Sequence, residues 1–194
     1  MPSPLKRIVI IGPESTGKST LCEELAAHYG TDWVPEYARE YLLKHGNKYR
    51  YEDLHTIAIG QLALEDAMAT ALTSQPSLAP ASTERPSNPH PKLLFIDTDM
   101  YVMKVWSEFV YNKCEPWILD QIVHRKYDGY LLCRTDLPWT KDELREYPDL
   151  PTREKLFRIY KDCMINQATP WAEIGGTAGQ RLQAAIEAVE GMIR

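Results

Sequence analysis

The sequence predicts an α/β domain of three layers, with a five-stranded parallel sheet between two layers of helices. Three observations carry that expectation. Short β-branched or apolar runs recur at 8–11, 93–99, 128–133 and 170–174, with a proline-limited one at 31–36. Segments of helical periodicity alternate with them, and the first run stops at Gly12, a short loop before Gly17 opens a helix. Runs that are apolar throughout suit strands buried on both faces, and alternation with helices implies right-handed crossovers and parallel pairing.

Length and composition agree with one domain spanning 1–194. The chain is 44% hydrophobic and 25% charged, as an ordinary globular protein is, and long enough to bury a sizeable core. A formal charge of -5 gives no general reason to expect nucleic acid, whose backbone demands a basic face, although a weakly acidic protein can still bind anionic nucleotides locally. Cys22, Cys114, Cys133 and Cys163 are scattered without C-x-x-C spacing, so neither a disulfide framework nor zinc is expected. The first residues lead straight into a strand and no apolar run reaches membrane-spanning length, so the expected setting is cytoplasmic, with no membrane partner. Oligomeric state is not readable.

The first strand runs into G-P-E-S-T-G-K-S-T, the pattern G-x-x-x-x-G-K-[ST]. Gly12 and Gly17 permit backbone conformations that turn successive N–H groups toward phosphate oxygens at a helix N-terminus. Gly12, Glu14, Ser15, Thr16, Gly17, Lys18, Ser19 and Thr20 are therefore candidate nucleotide-binding positions. Lys18 reaches the β- and γ-phosphates in such a loop, and the Ser19 hydroxyl completes a Mg²⁺ shell. The helix continues through Tyr29 to a stop at Gly30.

The second strand, 31–36, ends at Glu36, and Tyr37, Arg39 and Glu40 follow on the first turn of the next helix. Ligands gather at the carboxyl ends of strands in open α/β sheets, which makes these residues candidates for an acceptor site; a solvated helix start is the alternative. A long helix covers 51–72, its Leu54, Ile57, Ala58, Gln61 and Leu62 lying near one face as core. The stretch 73–92 is rich in Pro and Ser and reads as a mobile surface insertion without chemistry of its own. The strand 93–99 ends in acid and delivers Asp97 to the Mg²⁺ region. Asp99 stands one pleat repeat further on, toward the same site or as a helix N-cap.

A helix over 100–111 carries Trp106, whose ring is a candidate for stacking on a flat ligand although core packing explains it as well. Another helix covers 116–123. Arg134 follows the strand 128–133, and the charged, proline-broken stretch after it suits a lid flanked by short helical segments. Arg134, Arg145 and Arg153 can bridge ATP oxygens and the transferring phosphoryl group, because a planar guanidinium pairs two oxygens at once; a solvated surface is the alternative. The last strand turns at 175–177, placing Gly176 near a nucleotide base, and an amphipathic helix closes the chain.

Taken together, G-P-E-S-T-G-K-S-T, P-E-Y-A-R-E, F-I-D-T-D, W-T-K-D-E-L-R and E-I-G-G-T-x-x-x-R-L resemble, in that order, the ribosylnicotinamide kinase domain of NadR-type proteins. That group is a branch of the nucleoside and nucleotide kinase-like P-loop proteins. The chain lacks the H-x-G-H motif of the nucleotidyltransferase domain that bifunctional members carry, and its insertion at 73–92 is longer than the family leads one to expect. The resemblance implies strand order 2-3-1-4-5 and transfer of the ATP γ-phosphoryl to the 5'-hydroxyl of nicotinamide riboside, with Mg²⁺. It also implies a carboxylate base, Glu36 first and Asp97 or Asp99 second, and Arg39 holding the acceptor. The cationic ring suits an acidic pocket with an aromatic face from Tyr37, Tyr41 or Trp106. A kinase for another nucleoside or small metabolite, and a nucleotide-binding regulatory ATPase, remain the alternatives.

Overall fold

The structure is a computed structural model that describes residues 5–74 and 91–194. Its elements, in order, are β1 (Lys6–Ile11), α1 (Lys18–Tyr29), β2 (Trp33–Val34), α2 (Tyr37–His45), α3 (Tyr51–Ser74), β3 (Leu93–Asp97), α4 (Met100–Tyr111), α5 (Pro116–His124), β4 (Gly129–Cys133), α6 (Leu150–Ile165), β5 (Trp171–Ile174) and α7 (Ala178–Ile193). The five strands form one parallel sheet in the order β2-β3-β1-β4-β5.

The apolar runs divide between two faces by simple alternation. Ile8 and Ile10 join Phe95 and Leu131 beneath α1 and α7, while Val9 and Ile11 join Leu94, Ile96 and Leu132 against α3, α4 and α6. Phe95 and the isoleucines of β1 are wholly buried, and truncating any one of them costs about 2–5 kcal/mol. The sheet is therefore a stiff floor. A third apolar cluster, with Ala38, Leu54, Ile57, Met100 and Ile118, ties α2, α3, α4 and α5 together.

Several boundaries differ from the sequence expectation for local reasons. Strand β2 is two residues long, because Pro35 has no N–H with which to extend a ladder. Strand β3 ends at Asp97, not 99: Thr98 takes φ of +80°, a left-handed conformation rare for a β-branched residue, and the pleat does not carry through it. Helix α3 runs to Ser74, so the first two residues of the expected insertion are helical, and 75–90 lie outside the described residues. The segment 134–149 is irregular and is followed by one long helix, α6, in place of short helical flanks. Asp149 accepts a hydrogen bond from the Thr152 N–H at the start of that helix.

Candidate functional site

Strand β1 delivers the chain to Gly12, whose φ is +142° and whose Cβ, if it had one, would lie 2.8 Å from the Cys133 carbonyl oxygen. Only glycine fits there. The Thr16 hydroxyl donates to the Pro13 carbonyl at 2.7 Å and the Lys18 ammonium to the same oxygen at 3.0 Å, which shapes the loop before α1 begins. From outside, the buried Arg181 guanidinium of α7 donates to the carbonyls of Thr16, Gly176 and Arg134, each at 3.0 Å, and to the Asp136 carboxylate. Asp136 in turn accepts from the Gly176 N–H. One guanidinium thus fixes the phosphate-loop backbone relative to both loops that leave β4 and β5. Arg134 and Gly176 do not line the cavity described below; they are joined to the phosphate loop through Arg181. The sequence signal for Arg181 was its place in the G-G-T-x-x-x-R-L match alone.

Asp97, fully buried at the end of β3, accepts a hydrogen bond from the Ser19 hydroxyl at 2.5 Å. Glu36 occupies the N-terminal cap position of α2 but makes no capping bond. Burial pushes the Glu36 carboxyl above its ordinary range and the neighbouring charge of Asp97 pushes it further, while Lys18 and Arg39 pull it back. Burial raises Asp97 as well, against the charge of Lys18 and the hydroxyls of Ser19 and Thr98. The two acids are held in register by Gln61, which was expected only as core. Its carbonyl accepts from the Tyr37 N–H at 2.8 Å, and its amide donates to the Pro35 and Asp97 carbonyls at 3.4 Å each. Beside it, Gly60 admits the Tyr37 ring, which would be 2.1 Å from a Cβ. An amide on a largely apolar helix face was the available clue.

Asp99 is placed elsewhere. One of its oxygens caps α4, accepting from the N–H groups of Tyr101 at 3.0 Å and Val102 at 3.3 Å, and the other accepts from the Tyr130 hydroxyl at 3.0 Å. The left-handed turn at Thr98 is the reason that Asp97 and Asp99 do not share a face.

A cavity of about 360 Å³ extends from residues 12–20 past Glu36 and Arg39 to a wall made by Tyr49, Trp106, Phe109 and Tyr147. The Tyr49 hydroxyl accepts from the Trp106 indole at 2.8 Å and donates to Glu146 at 2.9 Å. Trp106 and Arg145 line this space, whereas Arg153 lies buried behind it, its Nη1 3.5 Å from the Leu137 carbonyl and its Nε without a hydrogen-bond partner. Tyr37 packs against this region without lining the cavity, its ring 6.5 Å from that of Tyr41. Sequence reasoning did not select Tyr49, which follows a turn with no periodic pattern.

The paired Ser19 and Asp97 oxygens are hard donors beside a phosphate-type loop. Among the described residues there is no cluster of three or more His, Cys, Asp or Glu side chains able to cage a metal. That donor set suits an ion held by one or two protein oxygens, with ligand phosphates and water completing its shell, as Mg²⁺ is. Among the same residues no helix is long and apolar enough to cross a membrane.

Comparison with known proteins places this geometry in context. The NadR protein of Salmonella typhimurium, a trifunctional NAD biosynthesis and regulator protein, is 27% identical over 145 residues, which are 73% of this chain and 31% of that protein. The chain thus spans about a third of the curated relative it matches. A NadR structure in complex with NR superposes with a TM-score of 0.71 at 20% identity, covering 97% of this chain and 49% of the other. A NadR structure with NAD and AMP-PNP gives 0.68 at 21% identity over the same shares. A deoxyadenosine kinase from M. mycoides with bound dATP gives 0.59 at 11% identity, covering 95% of this chain and 99% of that one. Residues 7–181 match the family model for an AAA domain, from the first strand through the arginine that pins the phosphate loop, and the chain belongs to that family.

Proposed function

We propose that the chain transfers the γ-phosphoryl group of ATP to the 5'-hydroxyl of nicotinamide riboside, giving nicotinamide mononucleotide. The observation that carries this reading is the continuous cavity. It runs from a phosphate loop at one end, past the Glu36 carboxylate, to an aromatic, acid-rimmed wall at the other, and the buried Asp97 carboxylate meets it through the Ser19 hydroxyl. The similarity to NadR proteins, one seen with NR and one with AMP-PNP, supports both halves of the assignment.

In this mechanism the backbone N–H groups of 12–20 and the N-terminus of α1 hold the ATP phosphates. The Lys18 ammonium leaves the Pro13 carbonyl for the β- and γ-oxygens. Ser19 and Asp97 would hold Mg²⁺, which when bound would neutralise phosphate charge. Glu36, whose raised pKa brings it closer to neutral pH, accepts the proton of the attacking hydroxyl, and Arg39 orients the acceptor. Arg145, which lines the cavity, and the buried, under-paired Arg153 behind it supply positive charge to the transferring group. Tyr49, Trp106 and Tyr147 offer faces to a cationic ring, with Glu146 adding negative charge.

The test is a product assay. Purified chain with ATP and Mg²⁺ is offered nicotinamide riboside and a panel of other nucleosides. Nicotinamide mononucleotide as the preferred product supports the reading. Phosphorylation of a different nucleoside alone overturns the acceptor, and ATP turnover indifferent to every acceptor overturns the kinase.

A further inference from the structure

The phosphate loop contains one residue that is electrostatically out of place. Lys18, the loop amides and the N-terminus of α1 all favour an anion, yet Glu14 sets a carboxylate among them. Its oxygens do not face the loop's own amides. Oε2 accepts from the Glu146 N–H at 2.9 Å and Oε1 from the Tyr147 N–H at 2.5 Å. The neighbouring Ser15 hydroxyl accepts from the Thr140 N–H at 3.0 Å. The segment docked in this way also reaches across the cavity, where Asp142 pairs with Arg39 at 3.0 Å and Glu146 accepts from the Tyr49 hydroxyl. Leu144, Glu146 and Tyr147 line the cavity itself.

We infer that Glu14 is a positioning residue: it docks 140–147 on the phosphate loop, so that the acceptor wall is complete and water is kept from the donor phosphates only while that contact holds. The inference rests on the kinase reading for its catalytic half and on geometry alone for the docking. A carboxylate accepting two main-chain N–H groups makes two charge-assisted bonds, strong enough to set the position of an otherwise irregular segment. When the segment lifts, a water oxygen can attack the γ-phosphorus. The bond from that phosphorus to the β–γ bridging oxygen breaks, ADP leaves, and the water protons pass to orthophosphate and solvent.

The experiment uses the full chain and two variants. Glu14→Gln keeps the size but turns one acceptor into an NH₂ facing an N–H donor, and Glu14→Asp keeps the charge on a stem too short to span both amides. Three quantities are read: the rate of trypsin cleavage at Lys141 and Arg145, the ratio of ADP formed to acceptor phosphorylated, and the melting temperature. We expect cleavage to rise about 10- to 100-fold, the loss of one or two charged hydrogen bonds. The ADP-to-product ratio should climb above one, with the melting temperature lowered by only about 3–10 °C and unfolding still cooperative. Unaltered cleavage in a variant that folds overturns the docking whatever substrate the chain takes. Faster cleavage with an unaltered ratio overturns the role in excluding water. A wild-type chain that phosphorylates no nucleoside overturns the kinase reading instead, and cleavage then still decides the docking.

Discussion

Replacing Asp99 by asparagine should flatten the pH dependence of stability. Burial beneath α4 pushes the Asp99 carboxyl from an ordinary 3.8 up to about 7, and its hydrogen bonds from Tyr130, Val102 and Tyr101 only partly oppose that. The folded chain therefore holds this proton up to about pH 7, whereas the unfolded chain releases it near pH 4. Between those values the native state binds more protons, so this group's contribution to stability falls as pH rises. The slope is about 1.4 kcal/mol per unit and the total about 4 kcal/mol. Asparagine retains a carbonyl for the two amides of α4 and an NH₂ that can donate to the Tyr130 hydroxyl, so the cap survives while the titration disappears. Urea midpoints for both chains at about pH 4 and about pH 8 give the double difference, which should favour the variant by about 4 kcal/mol at the higher pH. A difference between the two chains that does not change with pH would refute the reasoning.

Glu36→Gln should lower kcat by about 10²- to 10⁴-fold with little change in the KM for ATP, measured by steady-state kinetics; an unchanged kcat removes Glu36 as the base. In the wild-type chain, kcat should rise with pH as Glu36 ionises above the ordinary carboxylate range, and the variant should lack that limb. Gly60→Ala forces a methyl into the Tyr37 ring and should cost about 1–3 kcal/mol in denaturant unfolding, an expectation that an unchanged midpoint would contradict. Arg181→Met leaves the Asp136 carboxylate and three carbonyls without their donor, so about 3 kcal/mol of stability should be lost. The KM for ATP should rise in the same variant, and kinetics showing an unaltered KM would separate Arg181 from the donor site.

What the sequence made legible was local. Strand, glycine, loop and helix between Lys6 and Tyr29 are coded within a few residues of one another, and the structure reproduces that boundary at Tyr29 and Gly30. The parallel sheet followed from the apolar runs, and its strand order matches the one the family resemblance implied. Asp99 was harder to place because nothing in F-I-D-T-D announces that Thr98 will take a left-handed turn. The contacts that assemble the site were not legible at all. Glu14 meets Glu146 across 132 residues, Arg181 meets Thr16 across 165, and Tyr49 meets Trp106 across 57. Periodicity reports which face of an element is buried, not which distant group it will meet.

The third apolar cluster has a consequence for how such a protein can change its chemistry over time. The phosphate loop is anchored in the β1, α1 and α7 packing, whereas Tyr49 and Trp106 of the opposite wall pack against the third cluster, which α2, α3, α4 and α5 build. Substitutions at Tyr49 or Trp106 can therefore accumulate and be selected without disturbing the residues that form the phosphate loop. The two ends of the cavity are separately heritable, so an ancestral phosphate loop can be kept intact while its neighbours explore new acceptors.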